Sequence, residues 1–278
     1  MKIGAHVSSA GNISETPQRA AEIGGECFQM FSRSPRGGPA PAITPATAAS
    51  FQSNLKKFQQ TASYIHTPYY INLASSNNRI RYGSIQVIRE ELERGSLLGI
   101  TAVMTHLGSA KDLGEAKARQ QVAEGIKRLL DRYDGRTEFL IEMSAGAGLI
   151  IGDTFEEIAE LIEASGQRDI GVCFDTAHAF ASGYDLRTAE AVKETFAQFD
   201  HVLGLKRLKL IHANDSKAEF NSHRDRHDHI GQGKIGLAGF RALLHHPALR
   251  TINLVLETPS DGARIDDVEI LKKIRAEK

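Results

Sequence analysis

The sequence contains no tryptophan, only two cysteines and no excess of charge of either sign. Cys27 and Cys173 are too few for a thiolate-rich zinc ribbon or for a secreted disulfide framework. Both lie in apolar segments, so we expect a reduced, buried pair in an intracellular, cytoplasmic protein. The 34 basic residues are balanced by 34 acidic residues, which excludes nucleic-acid binding through bulk positive charge alone.

Long hydrophobic runs are also missing from the chain. No segment approaches the roughly 18 uncharged apolar residues of a membrane span, so we expect no membrane partner. The opening residues, MKIGAHVSSAGN, have neither the hydrophobic block of a signal peptide nor the Arg and Ser bias of a transit peptide. No linker or low-complexity tract divides the 278 residues, so we predict one domain over residues 1–278 with a large core.

Short aliphatic or β-branched segments alternate with longer segments of helical periodicity along the chain. We predict eight strands, at residues 2–7, 26–31, 62–67, 101–107, 138–143, 170–176, 208–214 and 252–258. One intervening helix is predicted to carry Val122, Ile126, Leu129, Leu130 and Tyr133 on one face. Thr154 and Glu157 predict a capping box at the start of the next helix.

Eight strand–helix units of roughly 35 residues each favour a (β/α)₈ TIM barrel, which belongs to the α/β class. An open, doubly wound sheet is the structural alternative. That fold would carry a Gly-rich dinucleotide motif in the turn after the first strand, where this chain has SSAGN. We therefore predict the barrel, with the active site at the carboxyl ends of its strands.

Polar side chains end seven of the eight predicted strands. The end residues are His6, Phe31, His66, His106, Glu142, Asp175, His212 and Glu257. A single His or Glu at a strand end is more often structural than functional. A whole set that meets at one barrel mouth is different, because carboxylates and imidazoles are costly to desolvate together unless cations neutralise them. The pattern therefore predicts bound metal ions.

Further candidate ligands lie just beyond the strand ends. His178 follows Asp175 by three residues, and Asp225 and His227 have the i, i+2 spacing that directs two side chains to one side of an extended segment. The nine candidates are His66, His106, Glu142, Asp175, His178, His212, Asp225, His227 and Glu257. Five imidazoles and four carboxylates without a thiolate suit zinc, manganese or iron, and nine ligands suit a cluster of three ions.

Long motifs in the chain resemble those of the endonuclease IV family of apurinic/apyrimidinic (AP) endonucleases. They are GAHVS (4–8), GVCFDTAHAFASGYDLRT (171–188), IHANDSK (211–217), DRHDHIGQGKIG (225–236) and LVLETP (254–259). The resemblance implies a TIM barrel with three Zn²⁺ ions, although Mn²⁺ or Fe²⁺ can occupy such sites. The implied ligand sets are His66, His106 and Glu142; Glu142, Asp175, His212 and Glu257; and His178, Asp225 and His227.

The resemblance also implies a reaction. The family hydrolyses the phosphodiester 5′ to an abasic site in damaged double-stranded DNA, leaving a 3′-hydroxyl and a 5′-deoxyribose phosphate, in base excision repair. Glu142 and Glu257 would take part in catalysis with a hydroxide that bridges two of the ions. We expect the protein to act as a monomer.

The positions that match the family's DNA-binding loops are Arg36, Tyr69 and Tyr70. Their side chains would enter the minor groove and help to extrude the abasic sugar. Arg33, Lys217 and Arg226 are candidate phosphate contacts, and a solvated surface position is the alternative for each.

The chain departs from the family pattern in two loops. Gly37, Gly38 and Pro39 follow Arg36, where the family commonly has Gln and Trp, so DNA bending is expected to change. The family's His-Pro-Gly-Ser-His motif is His106-Leu-Gly-Ser-Ala110 here, which keeps the predicted ligand and loses the second His.

Two other functions remain open from the sequence. A divalent-metal sugar isomerase or epimerase of the related barrel superfamily would use Glu142, Asp175, His212 and Glu257, but it would leave the other five candidates without a role. A non-catalytic protein that binds damaged DNA and uses zinc structurally is the second alternative. Structural zinc sites are usually closed and rich in thiolates, unlike this set.

Overall fold

The computed structural model describes residues 1–259 and 261–277. Within these residues, eight parallel strands close into a barrel in the order β1-β10-β7-β6-β5-β4-β3-β2. The barrel strands are β1 (Ile3–His6), β2 (Phe28–Met30), β3 (Ser63–His66), β4 (Ala102–Thr105), β5 (Glu138–Glu142), β6 (Gly171–Asp175), β7 (Leu208–His212) and β10 (Asn253–Leu256). Every predicted strand segment contains one of them, so the prediction of a (β/α)₈ barrel is confirmed.

Helices connect the strands on the outside of the barrel. They are α1 (Thr16–Glu22), α2 (Pro45–Lys57), α3 (Asn78–Leu98), α4 (Glu115–Leu130), α5 (Phe155–Ser165), α6 (Thr176–Ala181), α7 (Ala189–Val202), α8 (Gly236–His245) and α9 (Arg264–Ala276). Between β7 and α8, two short strands, β8 (Asp215–Ser216) and β9 (His227–Asp228), pair as an antiparallel ribbon. In the described part of the chain, no helix is both long and apolar enough to cross a membrane.

Two details of the helix predictions were wrong. α4 ends at Leu130 and Arg132 adopts a positive φ of 52°, so Tyr133 lies beyond the helix. Its hydroxyl instead lies 2.9 Å from the Ser96 hydroxyl. At the start of α5, the Thr154 hydroxyl accepts a hydrogen bond from the Glu157 N–H (3.1 Å), as a capping box requires. The Glu157 carboxylate, however, accepts from the Gly152 N–H (2.6 Å) rather than from the Thr154 N–H, so the box is only half formed.

The barrel interior is apolar below its mouth. Its buried cluster consists of Cys27, Ala62, Tyr64, Ala102, Met104, Leu140, Cys173, Leu210 and Val255. Both cysteines are free and buried, as the sequence predicts. Side chains along a strand alternate between its two faces, so the residue two positions after each cluster member points into the same interior, nearer the mouth. Leu140 is followed in this way by Glu142, and Leu210 by His212.

Candidate metal centre

The six strand-end candidates all lie at the carboxyl end of the barrel. His66, Glu142, Asp175 and His212 are the last residues of their strands, and His106 and Glu257 directly follow theirs. The other three candidates come from segments above the strand ends: His178 lies in the short helix α6 directly after β6, His227 begins β9, and Asp225 precedes His227 by two residues. The fold thus brings to one mouth all nine residues that the sequence singled out.

One group of donors forms around Glu142. Its Oε2 atom lies 2.7 Å from Nε2 of His66 and 3.6 Å from Nε2 of His106. One ligand atom from each of the three residues lies within 4.8 Å of the others. Glu142 and His66 are buried, whereas the side chain of His106 is 32% exposed, so this group of donors is open to water on the His106 side.

A second group forms around Nδ1 of His212. This nitrogen lies 2.9 Å from Oε1 of Glu142, 3.1 Å from Oε2 of Glu257 and 3.7 Å from Oδ2 of Asp175. A single ring N–H cannot satisfy three carboxylates, and His212, Glu142 and Asp175 are all fully buried. Three negative charges around one imidazole call for a cation at their centre.

The third group is a nearly equilateral triangle. Nε2 of His178 and Nε2 of His227 are 3.4 Å apart, and each lies 3.3 Å from Oδ1 of Asp225. A tetrahedral zinc ion with bonds of about 2.0–2.1 Å places its donors about 3.3–3.4 Å apart. Asp175 also lies near both rings, but its Oδ2 is 3.8 Å from Nε2 of His227, and its Oδ1 is 3.9 Å from the outer nitrogen, Nδ1, of His178. Asp225 therefore completes this triangle better than Asp175 does.

The outer ring nitrogens of His66 and His178 face oxygen acceptors. Nδ1 of His66 lies 2.6 Å from the Thr67 carbonyl oxygen, and Nδ1 of His178 lies 3.0 Å from that of Met143. Since a carbonyl only accepts, each of these nitrogens carries a proton. The inner nitrogen of each ring faces a carboxylate, so it must hold either a second proton or a cation. Protonated outer nitrogens fixed by an acceptor are typical of metal-binding histidines.

When no cation is bound, the donor side chains balance their charges through protons. Burial alone would lower the pKa of His178, but the carboxylates of Asp175 and Asp225 raise it to about 10. For Asp225 the signs are reversed: burial raises its pKa, but the facing histidines, above all His178, lower the pKa to about 2. The imidazoles of His106, His212 and His66 hold the pKa of Glu142 well below its usual range despite its burial. The carboxylates of Asp225 and Glu142 are therefore ionised and available as ligands.

The sequence missed Gln29. This fully buried residue lies in β2, and its side-chain oxygen is 2.7 Å from Nε2 of His212. Phe31 is the end residue of the predicted strand and is apolar, so this strand supplies no candidate ligand. The two-residue period from Cys27, a member of the interior cluster, passes through Gln29 as well as Phe31, so a polar residue on the interior face of β2 was visible in the sequence.

The predicted DNA contacts differ in accessibility. Tyr69 is 73% exposed, and Tyr70 and Arg36 are also accessible at the loops that follow β3 and β2. Arg33 is a different case, because it is only 7% exposed and pairs with Glu90 (2.8 Å) and Glu91 of α3. Neither interpretation of Arg33, as a phosphate contact or as a solvated residue, is correct, since two carboxylates already neutralise it.

The remaining loop residues lie near the ribbon or in the altered loops. The half-exposed Lys217 lies 3.5 Å from the Asp228 carboxylate, and the exposed Arg226 donates to the Asp225 carbonyl (2.7 Å). Gly37 and Gly38 have φ values of 113° and 98°, a region that favours glycine. Ala110 is buried and begins a short 3₁₀ turn after β4.

Comparison with known proteins supports one family. Residues 17–275 match the family described as xylose isomerase-like TIM barrels. The chain is 39% identical over 272 residues to the probable endonuclease 4 of Methanoculleus marisnigri, which covers 97% of this chain and 96% of that protein. The crystal structure of endonuclease IV from Thermus thermophilus superposes with a TM-score of 0.87 at 32% identity, covering 99% of this chain and 98% of the other.

Proteins of low sequence identity share the barrel fold with this chain. A D-tagatose 3-epimerase-like protein superposes with a TM-score of 0.71 at 18% identity, covering 99% of this chain and 97% of the other. Unrelated activities occur on the same barrel, so this likeness does not assign a reaction. The donor groups at the mouth have to distinguish between the functions.

Proposed function

The chain belongs to the endonuclease IV family, and from this premise we propose that it is a metal-dependent DNA repair endonuclease. Its substrate would be duplex DNA with an abasic site, cut on the 5′ side to leave a 3′-hydroxyl and a 5′-deoxyribose phosphate. The protein would act as a monomer. The observation that carries the proposal is the convergence of three donor groups at one barrel mouth. The first two share Glu142, and in the third Asp225 or Asp175 faces the rings of His178 and His227, with Asp225 the nearer.

The residues present fit three divalent ions. The proposed ligand sets are His66, His106 and Glu142; Glu142, Asp175, His212 and Glu257; and His178, Asp225 and His227. Nitrogen and carboxylate donors without thiolates suit zinc in an open, catalytic site, and manganese or iron could replace it. A cation also resolves the contact between inner ring nitrogens and ionised carboxylates in each group. Bound ions would supply a Lewis acid for phosphate oxygens and a water molecule of lowered pKa.

Glu257 is the carboxylate best placed to act on a reacting water. Its side chain is 19% exposed, whereas those of Glu142 and Asp175 are fully buried. Despite its burial, Glu257 is held ionised, because His212 keeps its pKa well below the usual range. An ionised oxygen that water can reach can accept a proton from the attacking water. Glu142 has the complementary role of joining the first two donor groups.

The loops around the mouth would recognise the lesion. The rings of Tyr69 and Phe31 meet edge to face with their centroids 5.2 Å apart, and Phe31 contacts His66 in the same geometry at 5.8 Å. Tyr69 is thus an exposed aromatic side chain whose ring packs on Phe31, and Phe31 links it to the donor residue His66. We propose that Tyr69, Tyr70 and Arg36 enter the minor groove and that Lys217 and Arg226 contact phosphates. An abasic nucleotide, which has no base to unstack, costs least to extrude.

A sugar epimerase would not need the full set of donors. Such an enzyme uses one carboxylate-rich group, which Glu142, Asp175, His212 and Glu257 already provide. It would leave the triangle of His178, Asp225 and His227 without a role, although its geometry is the closest to that of zinc. The nuclease uses every donor, and for this reason we favour it.

The test combines metal analysis with a cleavage assay. The purified protein is analysed for bound metal and then given a duplex that contains one tetrahydrofuran abasic analogue. We expect about three ions per chain and a single cut on the 5′ side of the analogue. Glu257→Gln keeps the size and the oxygen ligand but removes the base, so cleavage should fall at least about 100-fold with DNA binding retained.

Glu269→Gln is the matched control, because Glu269 is an exposed residue of α9 that pairs with Lys273 (3.5 Å). It should cut at the wild-type rate. The proposal is wrong if the metal-loaded protein leaves the abasic duplex intact, or if Glu257→Gln cuts it as fast as the wild type does.

A further inference from the structure

Gln29 is a buried amide at the centre of the donor groups that the proposed function leaves without a role. It is fully buried in β2 and reaches residues more than 180 positions away in the sequence. Burying an amide is costly unless its donors and acceptor are paired, so its contacts identify what it holds in place.

Both N–H groups and the oxygen of this amide form hydrogen bonds within the site. Its oxygen accepts a hydrogen bond from Nε2 of His212 (2.7 Å). Its nitrogen donates to Oε1 of Glu257 (2.6 Å) and to Nδ1 of His6 (3.0 Å). The amide cannot be reversed, because its oxygen would then face the ionised Glu257 carboxylate, which only accepts hydrogen bonds. With the oxygen fixed on the His212 side, Nε2 of His212 has to donate.

We propose that Gln29 is a positioning residue that presents His212 and Glu257 together to one metal ion. Its oxygen fixes a proton on Nε2 of His212, which leaves Nδ1 of that ring to act as a ligand. Its nitrogen holds Oε1 of Glu257, which leaves Oε2 to face the same centre, 3.1 Å from Nδ1 of His212. One side chain therefore sets both the tautomer of a histidine and the orientation of a carboxylate.

The third contact ties this arrangement to the first strand. Desolvation lowers the pKa of His6 to about 3, so its ring is neutral and Nδ1 can accept the second amide hydrogen of Gln29. The His6 ring also packs on Phe31, with the centroids 4.5 Å apart. This contact gives a role to the His of the GAHVS motif, which ends β1 and lies outside the three proposed ligand sets.

The inference rests on the proposed function, since it takes His212 and Glu257 as metal ligands. Residues that orient metal ligands typically change metal affinity about 10- to 100-fold when they are altered. A residue that served only to fill the core would change folding stability and leave metal affinity as it was. Metal affinity therefore separates the two roles without any use of the cleavage assay.

Two variants of nearly constant size test the two contacts. Gln29→Glu keeps an acceptor for His212 but cannot donate to Glu257 and adds a negative charge beside it. Gln29→Met removes the donor and the acceptor together. Gln60→Met is the matched control, because Gln60 is also buried but bonds the Gly25 carbonyl (2.9 Å) instead of the site.

Metal affinity is measured by competition with a chelator, and the protonation of His212 by nitrogen–proton NMR of the imidazole rings in the zinc-loaded protein. Both Gln29 variants should bind one ion about 10- to 100-fold more weakly, with the other ions unaffected. Gln29→Met should also lose the Nε2–H resonance pattern of His212. Gln60→Met should bind every ion like the wild type.

Wild-type metal affinity in both Gln29 variants would overturn the inference and leave the proposed function intact. A wild-type protein that binds no ions at all would overturn both. If Gln29→Met does not fold, Gln29→Glu decides, with folding checked by thermal unfolding in the presence of chelator.

Discussion

At His178, a proton and a metal ion compete for the same ring nitrogen. In the ion-free protein the carboxylates of Asp175 and Asp225 outweigh burial and raise the pKa of this imidazole to about 10. The buried ring is therefore an imidazolium at neutral pH when no metal is bound. A metal ion that binds Nε2 must displace that proton, so ion binding and proton binding compete at the same atom.

We predict that the ion-free protein becomes less stable as the pH rises. The folded-state pKa of His178 lies above its unfolded value of about 6.5, so its stabilisation is complete below that pH and is lost as the pH approaches 10. Urea unfolding in excess chelator should show the free energy of unfolding falling by about 1 kcal/mol per pH unit between roughly pH 7 and 9.

Two variants separate this effect from general alkaline destabilisation. His178→Gln should flatten the pH dependence, whereas His201→Gln, at an exposed position of α7, should leave it as in the wild type. With zinc present the trend should reverse, because deprotonated ligands bind the ion more tightly. A slope that is the same in His178→Gln and in the wild type would contradict this explanation.

Residues differ in how far the sequence predicts their surroundings. The donors could be found because each ends a strand or lies in a motif, and the barrel brings such positions together whatever the intervening chain does. Their role as ligands stays a prediction. Arg33 could not be placed, because its partners, Glu90 and Glu91, are 57–58 residues away on α3 and nothing local to Arg33 indicates them.

At the scale of elements, the loops after β3 and β4 pack against each other to hold His66 and His106. The Leu73 N–H donates to the Leu107 carbonyl (3.0 Å), which joins the two loops through their backbones. Gly108 lies at the closest approach, with a φ of 102°. A Cβ atom added there would lie 2.1 Å from Oδ1 and 2.8 Å from Cα of Asn72, so the contact requires glycine.

We predict that Gly108→Ala destabilises the protein by more than about 2 kcal/mol, from a strained φ and from a backbone clash. The substitution should also lower the affinity for the metal ion at His106, two residues earlier, because the loop has to move away from Asn72. Gly166→Ala is the control: Gly166, after α5, also has a positive φ, of 69°, in the left-handed region, but a Cβ there meets nothing within 4 Å. This control should cost only about 1–2 kcal/mol.

Chemical denaturation and metal titration measure the two effects. Equal losses of stability in both variants would show that backbone conformation alone matters. Unchanged metal affinity in Gly108→Ala would show that the loop contact does not position His106.

Strands were easier to predict than the ends of helices. A buried strand leaves an apolar run that stands out locally, and all eight were found. The end of α4 depends on Arg132 adopting a positive φ and on the Tyr133 hydroxyl contacting Ser96 of α3. That contact spans 37 residues, so the apolar period that continued through Tyr133 could not reveal that the helix had already stopped.

At the scale of the whole molecule, closure of the barrel makes the site from distant parts of the chain. β1 pairs with β10, so Ile3 lies beside Leu254. Near this closure between β1 and β10, Arg275 of α9 donates two hydrogen bonds to the Glu26 carboxylate (2.6 and 2.9 Å). These hydrogen bonds hold the pKa of Glu26 below its usual range. Because β1 pairs with both β10 and β2, Glu257 after β10 contacts Gln29 of β2, although the two are 228 residues apart in the sequence.

The balance of charge over the molecule leads to the last prediction, which concerns DNA binding. The chain has no net formal charge, so bulk charge of the protein alone does not attract a phosphate backbone. Three divalent ions would add about six positive charges at the mouth. Arg36 and Arg226 are present with or without ions, so a comparison of the two states isolates what the ions contribute.

We predict that the ion-free protein binds an abasic duplex at least about 10-fold more weakly than the loaded protein at roughly 0.05 M salt. Glu257→Gln is used in both states, so that cleavage does not remove the substrate, and binding is followed by fluorescence anisotropy. Because salt screens charge at the mouth, the gap should narrow at about 0.2 M salt. Equal affinity for DNA with and without ions would contradict this prediction. It would mean that loop side chains such as Arg36, Tyr69 and Tyr70, and not the ions, attract the DNA to the mouth.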